Sequence, residues 1–361
     1  MTDFIVVGGG LSGMLVAREL SAGGLGVTLL ERGELGKEAS WAGGGILSTL
    51  YPWRYPDAVT ALAQWSQRHF PGFSDELREE TGIDPEWLQS GLLIPGSEET
   101  VSALRWAQRW DVALERVAAE RLAELEPGLA PGAEEGLWLP LVAQVRNPRL
   151  LKALARSLEM RGVVIRTHAQ VLELLDRGGG TQGVRTKDEI LHAAGVVVTA
   201  GAWTASLLDN LQGPDWRIEP VRGQMLLFHA EPGQVRHIVL KDSHYLVPRR
   251  DGRVLAGSTL EYVGFDKSTT REAYDELHAA ALALIPMLAS CPVEQHWAGL
   301  RPGSPEGIPW IGEHPGHRGL YINAGHFRNG VVTGPASARL LADMILGRPP
   351  CVDPTPYWRD G

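Results

Sequence analysis

The sequence predicts an α/β fold in which a Rossmann-type, parallel-sheet domain is assembled from separated stretches of chain and interleaves with a mainly antiparallel α+β domain. Three observations carry that prediction. A strand–helix–strand pattern fills the first 32 residues. Val196-Val197-Val198 runs into Thr199-Ala200-Gly201-Ala202-Trp203, a second strand-to-glycine turn. Leu320–Ala324 runs into Gly325-His326-Phe327-Arg328-Asn329-Gly330 and a terminal helix ending near Gly347. Short strand signals punctuated by turns lie between these pieces.

The first element is the most specific. Phe4-Ile5-Val6-Val7 is a β-branched, apolar run that breaks into Gly8-Gly9-Gly10-Leu11-Ser12-Gly13. A helical pattern through Met14, Leu15, Ala17 and Leu20 follows, then a second strand, Val27-Thr28-Leu29-Leu30, ending in Glu31-Arg32. Gly8, Gly10 and Gly13 have the dinucleotide spacing, with an acid about 20 residues on. Gly8 permits the tight turn, Gly10 admits a pyrophosphate to the backbone, and Gly13 lets helix and strand approach. The helix N-terminus offers unpaired N–H groups to phosphate. Glu31 suits the two hydroxyls of an adenosine ribose and would repel a 2′-phosphate, which argues against NADP.

Residues 36–55, rich in Gly, Ser and aromatics, read as a long functional loop entering a short helix at Gly43–Leu47. Apolar residues recur at helical spacing over 58–80 and again over 101–125. Asn147-Pro148 opens a helix over 149–161 with proline at its first position. Strands are expected at 163–166, 171–175, 181–186 and 189–192, with Gly178-Gly179-Gly180 as a hairpin between two of them. Antiparallel strand signals resume at 218–228, 237–240, 245–249 and 254–258, and a helix over 271–288 separates them from a strand at 293–300. The parallel-sheet domain is expected to comprise 1–85, 145–215 and 299–361, and the antiparallel domain 86–144 and 216–298.

Composition narrows the function. The chain has 361 residues, 44% hydrophobic and 21% charged, which suits two soluble domains. A formal net charge of −9 disfavours nucleic acid and anionic membranes as partners. Cys291 and Cys351 form no CxxC pair, so neither a redox dithiol nor a thiolate metal site is indicated, and such scarcity fits a reducing cytoplasm. The N-terminal apolar run is cut by glycines after four residues and lacks a basic flank, so it reads as a buried strand, not a signal peptide. The 279–289 stretch is too short to span a bilayer.

This interleaving, with Glu31, the 39–47 loop, the 199–203 turn and the closing Gly325–Gly330 segment, resembles the flavin-dependent amine and amino-acid oxidases of the D-amino-acid oxidase superfamily, across essentially the whole chain. Within it, Trp297-Ala298-Gly299-Leu300-Arg301-Pro302-Gly303, Gly325–Gly330 and Tyr245-Leu246-Val247-Pro248-Arg249 look like the glycine oxidases of thiamine biosynthesis. The resemblance implies an FAD-binding Rossmann-type domain and an antiparallel-sheet substrate domain. It also implies FAD contacts at Leu11, Ser12, Glu31 and Arg32 for the ADP half, and at Ala39, Ser40, Gly44, Gly45 and Ile46 along the pyrophosphate and flavin. Val171 would meet the adenine. Ala200 and Gly201 belong to the second turn, and His326, Phe327, Arg328, Asn329, Gly330, Val331 and Val332 would close over the flavin, whose reduced, anionic form the terminal helix dipole favours. Sarcosine oxidases that bind flavin covalently carry a cysteine just before the Leu-Arg-Pro segment; this chain has His296-Trp297 there, so its FAD is expected to be non-covalent.

An amino acid presented to flavin needs its carboxylate fixed and its α-C–H aimed at N5. Arginine's planar fork binds a carboxylate through two charge-assisted bonds, and Arg301 is the residue expected to do so; the alternative is a structural salt bridge. Tyr245 would add a hydroxyl and a pocket wall, against the alternative of a packed core tyrosine, and Arg328 would touch substrate or narrow the pocket. Hydride transfer from a neutral amine needs no protein base, so His244 and His326 are assigned none. The loop 50–55 is either a lid or an ordinary packed loop. The expected activity is oxidation of glycine and other small amino acids by O2, with the imine feeding thiazole synthesis. A D-amino-acid or sarcosine oxidase or dehydrogenase is the alternative. A flavin-binding tRNA-modification domain is disfavoured by length and charge, and a non-enzymatic nucleotide module leaves Arg301 without purpose. A homo-oligomer is compatible with the sequence, which does not set its state.

Overall fold

The structure is a computed structural model, and it describes residues 2–176, 180–211 and 214–358. Its first sheet has six strands in the order Trp310–Glu313, Leu320–Ala324, Gly195–Val198, Phe4–Val7, Val27–Leu30, Val164–Arg166, all parallel except the first. The three glycine turns read from the sequence therefore emerge from three adjacent central strands. Side chains alternate across a strand, so Val6, Leu29 and Val197 face a helical layer while Ile5, Val7, Val196 and Val198 face the other side. Buried on both faces, such strands read as continuous apolar runs. The helical layer comprises Leu11–Ala22, Asp57–Thr81, Asn147–Met160 and Gly330–Ile345. The opposite face carries the three-stranded antiparallel sheet Val171–Asp176, Thr181–Thr186, Ile190–His192. Of the hairpin expected at Gly178-Gly179-Gly180, Gly178 and Gly179 lie outside the described residues, although the two strands it joins do pair.

The second sheet has eight strands in the order Val293–Gly303, Glu219–His229, Arg253–Gly257, His244–Pro248, Ile238–Lys241, Leu92–Pro95, Glu135–Leu139, Glu115–Ala118. Only the pairing of Ile238–Lys241 with Leu92–Pro95 is parallel. The long strand Val293–Gly303 forms one edge, and through it Arg301 is carried from the antiparallel sheet toward the parallel one.

Three local expectations are corrected. Residues 101–125 are not one helix: Thr100–Trp110 is helical, Asp111 turns left-handed (φ 52°) while the Val112 N–H closes on the Ala107 carbonyl, and Glu115–Ala118 becomes a strand. Its pairing with Glu135–Leu139, 20 residues away, overrides a helical pattern there. The short helix lies at Ala39–Ala42, not Gly43–Leu47. Gly43 is extended and Gly45 left-handed (φ 73°), where a Cβ would strike the Val145 carbonyl. The helix over 271–288 stops at Leu284, because Pro286 forces Ile285 into an extended conformation (φ −132°, ψ 88°). Strands Leu92–Pro95, Glu135–Leu139 and Trp310–Glu313 carry no clean sequence signal; the first two pair with each other and the third with Leu320–Ala324.

Candidate active site

A cleft of about 420 Å³ runs from the carboxyl ends of the central parallel strands to the antiparallel sheet. At its parallel-sheet end the grip is made by backbone. Gly8 has φ +108°, and a Cβ there would meet the Thr199 carbonyl. Thr199 donates its hydroxyl to the Val7 and Gly8 carbonyls, both at 2.9 Å, so the second glycine turn is stitched to the first. Glu31 ends the second strand nearly buried. Its carboxylate accepts the Gly9 N–H at 2.7 Å and the Gly33 N–H at 2.8 Å, one on each oxygen, which leaves lone pairs for ribose hydroxyls. Ser40 Oγ accepts the Leu11 N–H at 2.9 Å, tying the 39–42 helix to the start of the first long one. Arg32 stacks over Trp203, 3.5 Å from the ring centre, and pairs with Glu38 at 3.0 Å.

The other end is made by side chains. Arg301 donates Nη2 to Ser258 Oγ at 2.8 Å and Nη1 to the Thr259 carbonyl at 3.1 Å. These acceptors are neutral. Burial pulls the Arg301 pKa below the ordinary arginine value, and the charge of Arg328 pulls the same way. A guanidinium remains charged under such a shift, so two cations converge here. Tyr245 is buried, its ring against Gly44, where a Cβ would sit 3.0 Å from the ring, and its hydroxyl 3.5 Å from Met225 Sδ. Gly299 brings this strand against the short helix, since a Cβ there would lie 2.5 Å from Ala42 Cβ. Trp297 Nε1 donates to the Ala42 carbonyl at 3.1 Å and locks that contact.

Of the residues expected to bind cofactor or substrate, all but Gly13, Asn329 and Val332 line this cleft. Gly13 acts one layer behind it, because a Cβ there would collide with the Gly8 carbonyl and Thr199 Oγ1. Asn329 precedes the terminal helix, and its carbonyl accepts the Thr333 hydroxyl at 2.9 Å. Val332 is rotated into the core, since helix residues turn about 100° each. His326 is buried with Nε2 2.8 Å from Asn323 Oδ1 and Nδ1 3.0 Å from Thr333 Oγ1, and burial drives its pKa down to about 4. His244 faces Glu276 at 2.9 Å and does not line the cleft. Neither cysteine lines it.

In the 50–55 loop, Leu50 alone lines the cleft. Trp53 and Arg54 are pinned to one carboxylate oxygen of Glu99 at 2.6 and 2.8 Å, and Arg54 covers the Tyr51 ring, a packed-loop arrangement. Residues that sequence reasoning missed include Arg249 and Asn147. Arg249 is buried and donates to Gln144 Oε1, the Val145 carbonyl and the Gly44 carbonyl at 2.6–2.9 Å; Asn147 donates to the Ser40 and Gly43 carbonyls at 2.8 and 3.0 Å. Both shape the 39–46 loop from far away in sequence; they lie in the Asn147-Pro148 helix start and the Tyr245–Arg249 segment, neither of which signals that role.

A family model described as FAD dependent oxidoreductase matches residues 3–344. A glycine oxidase of Pseudomonas aeruginosa is 48% identical over 98% of this chain and 97% of its own, and one of Pseudomonas putida is 46% identical over 99% and 98%. The crystal structure of glycine oxidase from Geobacillus kaustophilus superposes with a TM-score of 0.93, at 28% identity over 98% of this chain and 97% of that one. A glycine-lined backbone cradle joined to a cationic pocket, matched along nearly its full length in sequence and in fold, makes the chain a member of the FAD-dependent oxidoreductase family.

Proposed function

We propose that the protein is a glycine oxidase: glycine, O2 and water give glyoxylate, ammonia and hydrogen peroxide through an imine. The observation that carries this is Arg301, a half-buried guanidinium whose hydrogen-bond acceptors are neutral, at the far end of a dinucleotide cleft. FAD is the cofactor, and when bound it supplies an acceptor for the α-hydride and returns the electrons to O2. The backbone at Gly10 and Ser12, with Gly8 and Leu11 lining the approach, would hold its pyrophosphate, Glu31 its ribose, and the 325–331 segment its ring. Arg301 would take the substrate carboxylate as a bidentate fork. Tyr245 would wall the pocket and add a hydroxyl, and Arg328 would limit its size beside Arg301. His326, held neutral between Asn323 and Thr333, would fix the segment over the ring and exchange no proton with substrate. An amine that enters neutral then needs only orientation, which the arginine fork supplies.

The test is simultaneous O2 uptake and peroxide release with a substrate panel. Glycine and sarcosine should be oxidised, bulky D-amino acids such as D-phenylalanine poorly, and L-amino acids essentially not at all. With the carboxylate on Arg301, the α-hydrogen toward the flavin and the amine held in a third position, only one enantiomer fits its side chain into the remaining space. Faster turnover of a bulky D-amino acid than of glycine would move the assignment to D-amino-acid catabolism. The imine of glycine would serve thiazole formation, so a deletion strain with no second glycine-oxidising route should require the thiazole moiety for growth.

A further inference from the structure

Arg301 has a long side chain with many rotamers, yet its guanidinium is held in one place. Two features hold it. Gly223, on the neighbouring strand, gives it room: a Cβ at that position would overlap the guanidinium itself. The Ser258 hydroxyl and Thr259 carbonyl then receive its N–H groups, with the Arg222 carbonyl at 3.4 Å as a weaker third. Ser258 and Thr259 follow the strand Arg253–Gly257 and lie outside its ladder, so something else must fix their position.

The Gln224 backbone N–H, donated to Thr259 Oγ1 at 2.9 Å, supplies one tie, and Glu261 supplies the other. It exchanges both backbone hydrogen bonds with Arg222, at 2.9 and 3.0 Å. On its carboxylate, Oε2 accepts Arg222 Nε and Nη2 at 3.1 and 2.6 Å. Oε1 accepts the Thr259 hydroxyl at 2.5 Å and Gln224 Nε2 at 2.9 Å. A carboxylate that merely neutralised Arg222 would need only the first oxygen; the second is spent on the arch that carries Arg301's acceptors. Asp266 offers an internal contrast. It also pairs with Arg222, at 2.6 Å on Nη1, but its other bonds go to Ser268 and none reaches Thr259.

We propose that Glu261 is a positioning residue for substrate binding, its carboxylate holding Thr259 so that the Ser258–Thr259 arch keeps the Arg301 guanidinium aimed into the cleft. This rests on the reading of Arg301 as the carboxylate clamp. The chemistry requires a carboxylate. Thr259 Oγ1 already accepts the Gln224 backbone N–H at 2.9 Å, so its own proton must go to an acceptor. A glutamine at 261 would turn an NH2 group toward either the Arg222 N–H donors or the Thr259 and Gln224 donors. Donor would face donor in both orientations.

The experiment compares holoenzymes carrying Glu261→Gln, Thr259→Val and Asp266→Asn. Glu261→Gln and Thr259→Val should each raise the KM for glycine about tenfold. The Kd of acetate, read from the flavin's visible spectrum, should rise in parallel, with FAD occupancy unchanged. The double variant should be no worse than the worse single, since both break one connection. Asp266→Asn should stay within about twofold of the parent in both readouts, as expected of a surface carboxylate away from the arch. Unchanged glycine KM and acetate Kd in Glu261→Gln overturn the proposal, as does an equal rise in Asp266→Asn or full additivity in the double variant. If Glu261→Gln does not fold, Thr259→Val decides on the same readouts. An Arg301→Ala variant separates the two levels: if it binds acetate and glycine normally, the clamp reading fails; if it loses both while Glu261→Gln keeps them, only the role of Glu261 fails.

Discussion

The two ends of the cleft are built on opposite plans. At the parallel-sheet end, glycines let backbone approach backbone, and the groups presented are N–H donors at a helix start and one carboxylate, Glu31, itself held by two backbone N–H groups. At the other end, the side chains of Tyr245, Arg301 and Arg328 reach in from three separated segments, and the Ser258 hydroxyl and Thr259 carbonyl hold the Arg301 guanidinium in place. A backbone cradle is shared by every dinucleotide of the same shape, so it confers affinity with little discrimination among reactions. A side-chain pocket discriminates, because moving one guanidinium by an ångström changes which substrate is aligned. The contrast teaches that cofactor retention and substrate selection can be altered separately in this molecule.

The largest effect that tests this separation is Arg301→Ala. Removing two charge-assisted bonds of about 1.5–3 kcal/mol each should lower kcat/KM for glycine about 1,000-fold. FAD should remain bound, as read from the absorbance ratio of flavin to protein. Loss of FAD together with activity would break the comparison. Arg301→Lys should recover only part of the loss, because a point charge cannot reproduce the fork.

A second effect concerns His326, which sits where the ends meet. Its pKa is pushed down to about 4 by burial, against about 6.5 in an unfolded chain. Between those values the unfolded state binds the proton and the native state does not, so stability falls as pH falls. This group alone contributes a loss of about 3 kcal/mol from pH 6.5 to pH 4. Thermal melts across that range should show the fall, and His326→Gln should flatten part of it; an unchanged slope would mean the imidazole titrates normally.

The smallest of these effects is expected for Glu31→Ala. The lost ribose contact should weaken FAD about tenfold by titration of apoprotein. The same change frees the Gly9 and Gly33 N–H groups, which adds a stability loss of about 1–3 kcal/mol. Normal FAD affinity in this variant would mean the acid serves only the loop, sharpening the cradle to a purely backbone device.

The first end was legible in the sequence and the second only in part. Gly8, Gly10, Gly13 and Glu31 fall within one βαβ unit, so their spacing reports their geometry directly. Arg301 was recognisable through its Leu-Arg-Pro setting, but nothing near it in the chain announces Gly223, Ser258, Thr259 or Glu261. Likewise Glu115–Ala118 reads as helix until the strand Glu135–Leu139 is there to pair with it.

By itself, then, the sequence determined whatever rests on local periodicity and backbone permission: the three glycine turns, the apolar strands that precede them, the long helices, and the acid at the second strand end. The tertiary structure alone decided that three turns separated by more than a hundred residues open side by side, that Arg249 and Asn147 shape the 39–46 loop, and that the arch beside Glu261 receives Arg301. The physical reason is range: a turn or a helix is set by sterics among neighbouring residues, whereas the direction of a half-buried guanidinium is set by hydrogen-bond partners that only folding brings within 3 Å.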